Sequence, residues 1–301
     1  EITTRLVGSE MCIRDREIRC FSHVHCWQLA GVPVMPTTGE VKGHKGMDAY
    51  KSTYSHETEI VKPGYHKVEL DTYQIRVELT STSRVGMHRY TYPAGEKANV
   101  LFDVGALLAH GKTEKAAIHR ISSKEIGGYS VLAPTSRRKK PVTVYFVARF
   151  NQNMTAFGGW EKEGKEKKLV HKNSIEGADI GGYASFGKLK KQTLLMKVGI
   201  SYVSEEQARI NLEKELAHWN FDRVKEDAFA EWNRELGKIT VEGGSEEEKI
   251  KFYTDLWHSL LGRHTFSDFN GKYIDNTGEA DRTNIVSYSC LLYTSPSPRD
   301  A

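Results

Sequence analysis

Two histidines stand one residue apart in the stretch FSHVHCWQLAG, which occupies residues 21–31. In an extended chain, residues two positions apart point to the same side, so His23 and His25 would face one way. This spacing lets two imidazoles converge on one zinc ion, provided that a third ligand completes the site. The histidines that could supply a third ligand are scattered singles: His44, His56, His66 and His88.

Two other interpretations of the histidine pair stay open at the level of residue chemistry. The rings can form a hydrogen-bonded structural pair, as buried polar groups commonly do. They can also bind a sugar, because imidazoles exchange hydrogen bonds with hydroxyl groups and Trp27 offers a flat apolar face to a pyranose ring.

A second polar stretch, FSDFNGKYIDNTGE, occupies residues 266–279. Asp268, Asn270 and Asp275 resemble the alternating oxygen ligands of a calcium loop, but their spacing does not meet the EF-hand pattern. A turn built on Asn270 and Gly271 accounts for the same residues without a ligand. The sequence by itself therefore predicts no metal site here.

The elements that must position these residues follow from the hydrophobic pattern. Between residues 65 and 204, short alternating segments are separated by glycine-rich turns, which predicts many strands and no helix. Strands without intervening helices indicate a mainly β fold, an antiparallel β-sandwich. We expect a core that includes Trp160 and these alternating residues: Ile75, Val77, Val100, Phe102, Val144 and Phe146.

The period changes to a helical one after residue 204. Ser204 and Gln207 have the spacing of a capping box, and so do Ser245 and Glu248. A further helix is expected from about residue 222 to Gly237, followed by a short strand, KITVEGG. We interpret Trp219, Trp232 and Trp257 as packing residues. The last helix is expected to expose a stripe formed by Tyr253, Leu256, Trp257 and Leu260.

These patterns divide the chain into segments. Residues 17–204 are predicted to form the sandwich, 205–244 a helical linker, and 245–288 the truncated start of a helical domain. Residues 1–16 and 289–301 are set aside, because LVGSEMCIRDR and CLLYTSPSPRDA resemble translated sequencing-adapter DNA. We therefore expect an internal fragment of a longer protein, in which Cys20 and Cys26 are the remaining cysteines.

The composition excludes several classes of function. The 301 residues carry a formal net charge of +4, from 43 basic and 39 acidic side chains. This balance is too mild to indicate a nucleic-acid partner. No apolar run approaches the length needed to span a membrane, so no membrane span is predicted. The sequence does not determine the oligomeric state.

Several segments in order resemble glycoside hydrolase family 92. They include FSHVHCWQLAGVPVMPTTG, VELTSTSRVGMHRYTYP, KVGISYVSEEQARINLEKE and FYTDLWHSLL followed by FSDFNGKY, and the resemblance covers about residues 17–287. It implies an N-terminal β-sandwich, an (α/α)6 barrel, and an active site between them. It also implies a calcium-dependent exo-α-mannosidase that inverts the anomeric configuration and takes part in N-glycan processing.

The resemblance also implies roles for particular residues. The histidine loop would face the active site, and Asp268 would lie near the bound sugar. The substrate-binding residues expected on this basis are His23, His25, Trp27, Asp268 and Asn270. No catalytic or metal-binding residue is assigned, because the acid, the base and the calcium ligands are expected downstream in the barrel.

A mannose-containing glycan is the implied substrate, and the implied location is periplasmic or secreted. Two alternatives remain at this stage. One is a non-catalytic carbohydrate-binding sandwich, and the other is a zinc hydrolase that uses the histidine pair.

Overall fold

The structure is a computed structural model that describes residues 17–23, 31–106, 112–134, 139–164, 166–190, 192–260, 263–274, 282–283 and 287–289. Four residues named above, His25, Cys26, Trp27 and Asp275, lie outside these ranges.

Strands make up most of the described chain before residue 202. In chain order they are β1 (Glu17–Ile18), β2 (Phe21–Ser22), β3 (Pro33–Thr38), β4 (Ser52–Thr53), β5 (Ile60–Lys62), β6 (Tyr65–Leu70), β7 (Ile75–Ser81), β8 (Val85–Thr91), β9 (Lys97–Phe102), β10 (Thr113–Arg120), β11 (Glu125–Leu132), β12 (Val142–Phe150), β13 (Ala156–Glu163), β14 (Glu166–Val170), β15 (Ser174–Gly177), β16 (Gly181–Lys188) and β17 (Thr193–Ser201).

Helices and short strands follow. A 3-10 turn (Gly43–Lys45) and α1 (Met47–Tyr50) interrupt the early strands. The later elements are α2 (Glu205–Glu215), α3 (Phe221–Leu236), α4 (Glu246–Leu260), β18 (Arg263–Thr265), β19 (Lys272–Tyr273), β20 (Arg282–Thr283) and β21 (Ser287–Ser289).

Two antiparallel sheets form the sandwich. One has the order β15-β10-β11-β12-β17-β8-β7-β6-β5, and the other has the order β14-β13-β16-β9-β3-β2. The last long strand, β17, therefore lies in the middle of the larger sheet, between β12 and β8. The prediction of a mainly β, antiparallel sandwich is confirmed.

The core lies between the two sheets, where alternating side chains from each sheet meet. All six alternating residues expected there are 0% exposed, and so is Trp160. Phe102 of the smaller sheet stacks on Phe146 of the larger one, with ring centroids 6.0 Å apart. The period of two in the sequence correctly identified the buried face, because successive side chains of a strand point to opposite sides.

The outer face of the larger sheet is covered by helices. Leu212 and Ala208 of α2 pack against Val85, Met87 and Val147 of the sheet. Both predicted capping interactions are present: Gln207 N donates to Ser204 Oγ at 3.1 Å, and Glu248 N donates to Ser245 Oγ at 3.2 Å. The predicted end of α3 at Gly237 is also confirmed.

Two expectations about the helical region were wrong. KITVEGG forms turns and irregular chain rather than a strand. Its Ile239 is 47% exposed, and Ile239 O accepts a hydrogen bond from the Tyr253 hydroxyl at 3.0 Å. The expected stripe on α4 is also not exposed as a whole. Trp257 is buried, and its ring centroid lies 6.5 Å from that of Trp232. On α4, Ile250 is 65% exposed and Phe252 36%.

Candidate functional site

A small cavity of about 20 Å³ opens at one end of the sandwich, where the segment after β18 packs against the sheet ends. This volume is sufficient for about one water molecule. The cavity combines one carboxylate, one guanidinium, one imidazole and two aromatic rings. The lining residues that make this cavity a candidate site are His23, Arg84, Ser201, Tyr202, Phe266 and Asp268.

Asp268 is the buried carboxylate of this cavity, at 2% exposed. Its Oδ1 accepts a hydrogen bond from Asn211 Nδ2 at 2.7 Å, and its Oδ2 accepts one from Ser201 Oγ at 2.9 Å. Burial raises the pKa of Asp268 above its ordinary value, and the two hydrogen bonds oppose that effect. The carboxylate thus joins the segment to α2 and β17.

The segment around Asp268 is a tight turn. Gly271 N donates to Asp268 O at 2.9 Å, and Gly271 has a φ of 82°, a conformation that favours glycine. Asn270 is exposed at the tip, where its Oδ1 accepts from Lys272 N at 3.3 Å. The turn interpretation of Asn270 and Gly271 therefore describes the local backbone.

Arg84 fixes the other side of this segment. Its Nε donates to Ser267 O at 2.6 Å, and its guanidinium contacts the Glu215 carboxylate at 2.5 Å. The Arg84 backbone N–H also donates to Glu215, at 2.9 Å. The turn between β7 and β8, the end of α2 and the 263–274 segment are thereby held together by one ion pair and its hydrogen bonds.

His23 follows β2 and is 1% exposed. Its Nδ1 lies 2.9 Å from Val32 O, and its Nε2 lies 2.6 Å from His88 Nε2. Burial lowers the pKa of His23 to about 4, so the ring is neutral at ordinary pH. Because both ring nitrogens have protein partners, His23 has no lone pair left for a zinc ion.

An aromatic stack forms a further part of the wall. The rings of Tyr202 and Phe266 lie nearly parallel, 15° apart in angle, with centroids separated by 4.4 Å. Tyr202 follows β17 and Phe266 follows β18, so the stack also joins the sandwich to the later segment.

The structure brings together two of the five expected substrate-binding residues. His23 and Asp268 line the same cavity, and Asn270 lies two residues beyond Asp268 on the exposed turn. His25 and Trp27 lie outside the described residues. The assignment of all five to substrate binding stays a prediction.

Sequence reasoning missed the partners of these residues. His88 had been noted only as a scattered single, and Arg84, Ser201 and Asn211 were not identified. A polar residue at a core-facing position of a strand, as His88 is in β8, was the available signal. Asn211 gave a comparable signal, since it lies on the buried side of α2.

The chemistry open to this cavity is binding and orientation. Of the described residues that line it, Asp268 alone carries a carboxylate, whereas glycoside hydrolysis with inversion requires two. No group of three or more His, Cys, Asp or Glu side chains in the described ranges is arranged to hold a metal ion.

Comparison with protein families identifies the chain. The model of the glycosyl hydrolase family 92 N-terminal domain matches residues 11–201, and that of the family 92 catalytic domain matches residues 207–292. The chain belongs to glycosyl hydrolase family 92. The resemblance noted in the sequence is confirmed.

Solved structures of family 92 share this fold. The family GH92 alpha-mannosidase BT3965 from Bacteroides thetaiotaomicron is 27% identical, with a TM-score of 0.75 over 86% of this chain and 35% of that one. Its complex with mannoimidazole is also 27% identical, with a TM-score of 0.73 over 86% and 34% of the two chains. The gh92 family glycosyl hydrolase ccman5, at 23% identity, has a TM-score of 0.79 over 91% and 38%.

One curated protein matches a smaller part of the chain. An "Uncharacterized secreted glycosidase" from Arthroderma benhamiae is 28% identical over 102 residues, which are 33% of this chain and 13% of that protein. The chain thus spans about a third of the length of the solved family 92 structures and a smaller share of this relative. In the described ranges, no helix is long and apolar enough to cross a membrane.

Proposed function

We propose that this chain is part of an inverting exo-α-mannosidase that hydrolyses terminal α-mannosides of glycans, including N-glycans. The supporting observation is its likeness to a solved family 92 alpha-mannosidase, at 27% identity over 86% of the chain. The mannoimidazole complex of that enzyme supports a mannose-containing substrate. The match of residues 207–292 to the catalytic domain favours a hydrolase over a non-catalytic carbohydrate-binding sandwich.

In the proposed reaction, one carboxylic acid protonates the leaving oxygen while a carboxylate on the opposite face activates water. We do not assign either role to Asp268, because its two oxygens accept hydrogen bonds from Asn211 and Ser201. The acid and the base are proposed to come from residues outside the described ranges. The contribution of this chain is a rigid wall that orients the sugar.

We propose that the sugar-facing residues are His23, His25, Trp27, Asp268 and Asn270. The shared cavity of His23 and Asp268 supports the assignment for these two, which act by shaping the wall. In the complete enzyme, His25→Ala is expected to lower kcat/KM about tenfold, the effect of losing roughly 1.4 kcal/mol of transition-state binding. An unchanged kcat/KM, measured with an unchanged melting temperature, would contradict the role of His25.

Calcium dependence and export are further parts of the proposal. Calcium would bind sugar hydroxyls and favour ring distortion, with ligands drawn from residues other than the described ones. Export, to the periplasm or the exterior, is supported by the likeness to a secreted glycosidase.

The experiment is a hydrolysis assay on the enzyme that carries this chain together with a complete catalytic domain. We expect release of mannose from α-mannosides but not β-mannosides, loss of activity with a chelator, and recovery with added calcium. Proton NMR of the first product should show β-mannose, as inversion requires. Release of α-mannose first would refute inversion, and failure to cleave any α-mannoside would refute the proposed activity.

A further inference from the structure

A row of buried polar groups connects the two sheets behind the cavity wall. Val32 O lies 2.9 Å from His23 Nδ1, and His23 Nε2 lies 2.6 Å from His88 Nε2. The row continues to the larger sheet's Tyr90, whose hydroxyl lies 2.7 Å from His88 Nδ1. His23 is 1% exposed, His88 5% and Tyr90 0%.

The chemistry of these groups allows one neutral arrangement of protons. A carbonyl oxygen only accepts, so His23 Nδ1 carries the proton that bonds to Val32 O. The neutral His23 ring then has its lone pair on Nε2, which accepts from His88 Nε2–H. His88 Nδ1 is left as an acceptor, and it accepts a hydrogen bond from the Tyr90 hydroxyl. The Val32 carbonyl thus fixes the tautomer of His23, and His23 in turn fixes that of His88.

The backbone beside the two rings leaves space for them. Gly86 precedes His88 by two residues on the same face of β8. A methyl group at Gly86 would lie 2.9 Å from His23 Cδ2 and 3.5 Å from His88 Nε2. The residues opposite His88 on the neighbouring strands are Leu79 and Met196, neither of which titrates. The two rings are therefore closely fitted, and His88 has apolar neighbours on both adjacent strands.

We propose that His88 is a positioning residue of the candidate site, which donates to Nε2 of the neutral His23 ring, holds that ring in the cavity wall and releases it when His23 is protonated. The effect on sugar hydrolysis rests on the proposed function, whereas the pairing itself does not. His88 does not line the cavity, so it acts through His23.

Protonation breaks the row at a defined point. A proton on His23 Nε2 would set two N–H groups against each other, and a proton on His88 Nδ1 would remove the acceptor of Tyr90. The charged groups that share the cavity with His23 are Arg84 and Asp268, which are engaged by Glu215 and by Ser201 with Asn211.

The direction of the acid effect follows from burial. Burial lowers the pKa of His23 to about 4 and that of His88 well below its ordinary value. The unfolded chain takes up these protons first, near pH 6.5, as the pH falls. Stability contributed by the pair is therefore complete above about pH 6.5 and is lost as the pH falls from there towards 4.

Three variants of the complete enzyme separate positioning from general packing. His88→Gln keeps an N–H donor for His23 and an acceptor for Tyr90, but it cannot titrate. His88→Leu fills the space and removes both hydrogen bonds. His56→Gln is the matched control, because the side chain of His56 is 52% exposed.

We expect His88→Leu to lower kcat/KM roughly tenfold to a hundredfold, the scale on which misplaced active-site groups reduce rates. His88→Gln should retain most of the activity and extend it to lower pH, while His56→Gln should leave the pH profile unchanged. Equal losses in both His88 variants, with the acid limb of the profile unmoved, would overturn the positioning role.

A second measurement on the 301-residue chain tests the pairing without reference to activity. Hydrogen–deuterium exchange at the imidazole C2 position, followed by mass spectrometry, reports the titration of each histidine. We expect neither His23 nor His88 to titrate near the ordinary histidine value of about 6.5, and faster exchange of His23 in His88→Leu. Ordinary titration of His23 near pH 6.5 would refute the pairing even if the enzyme proved to have no mannosidase activity.

Discussion

At the scale of single residues, polar side chains near the cavity are occupied by partners from distant parts of the chain. Asp268 accepts hydrogen bonds from Ser201 and Asn211, which precede it by 67 and 57 residues. A buried carboxylate held by two neutral donors is favoured as an acceptor, but burial opposes its charge. Hydrogen bonding and desolvation therefore act on Asp268 in opposite directions, and substitutions of Asp268 measure their net effect on stability.

Replacing Asp268 by alanine should lower the free energy of unfolding by about 1–3 kcal/mol, because the Ser201 hydroxyl and one Asn211 N–H lose a buried acceptor. Asp268→Asn keeps an acceptor and should cost less. Urea denaturation, followed by tryptophan fluorescence at sub-micromolar concentration, measures both changes. An alanine variant as stable as the parent would show that the contacts contribute nothing net.

The same pair of variants gives a pH dependence with a definite sign. Because the folded pKa of Asp268 is raised, its contribution is complete below the unfolded value and is lost as the pH rises through the folded pKa. The parent chain should therefore lose stability relative to Asp268→Asn as the pH rises above about 4, the unfolded value. A constant difference across this range would contradict a raised pKa.

The sequence identified two residues that line the cavity, but it did not identify the side chains to which they are hydrogen-bonded. The types and spacing of His23 and Asp268 marked them as candidates, and the structure places both at one cavity. The partner of His23, however, is His88 rather than a near neighbour in sequence. The two histidines are 65 residues apart, and His23 follows a strand of one sheet while His88 lies in the other, so their contact depends on how the sheets pack, which the local pattern does not contain.

At the scale of elements, α2 approaches β17 closely. A methyl group at Gly199 of β17 would lie 2.4 Å from Ala208 O and 2.8 Å from Leu212 Cβ. The first of these atoms belongs to the helix backbone, so it cannot move unless the helix does. The absence of a side chain at Gly199 thus sets how closely α2 approaches the sheet.

Gly199→Ala should destabilise the chain by about 1–3 kcal/mol, the usual cost of overpacking a fitted interface. Gly177→Ala is a matched control, because the added methyl would meet only the Ile180 Cγ2 atom, which can rotate away. Denaturation midpoints of the two variants test this difference. Equal effects would mean that α2 shifts at little cost.

Helices and strands were predictable where the residues that determine them are close together in the sequence. Capping boxes at Ser204 and Ser245 lie within four residues of the helix starts they mark, and both helices form there. KITVEGG had strand-like alternation, yet a strand also needs a neighbouring edge. In the described part of the chain no edge pairs with it, and α4 contacts Ile239 instead. Such a partner cannot be deduced from the segment alone.

At the scale of the whole molecule, several large apolar side chains are exposed, both on the sandwich and after it. Ile250 is 65% exposed, Phe229 54%, Phe269 51%, Val61 50% and Ile239 47%. Large apolar side chains exposed together favour association between molecules. The second carboxylate needed for inverting hydrolysis is also missing from the described residues that line the cavity.

We therefore expect the 301-residue chain alone to release no mannose from α-mannosides in the presence of calcium, and to self-associate as its concentration rises. Light scattering and a mannose-release assay test the two statements. Addition of a complete catalytic domain should restore both solubility and hydrolysis. Chelator-sensitive release by the chain alone would show that the catalytic groups lie within it.

The central position of β17 in the larger sheet has a consequence for synthesis on the ribosome. Until residues 193–201 leave the exit tunnel, β8 and β12 each present an unpaired edge, although every other long strand of that sheet has already been made. Unpaired edges recruit strands from other chains. The nascent protein is therefore most open to mispairing late in translation of the sandwich, and a chaperone that binds extended segments would be most useful during that interval.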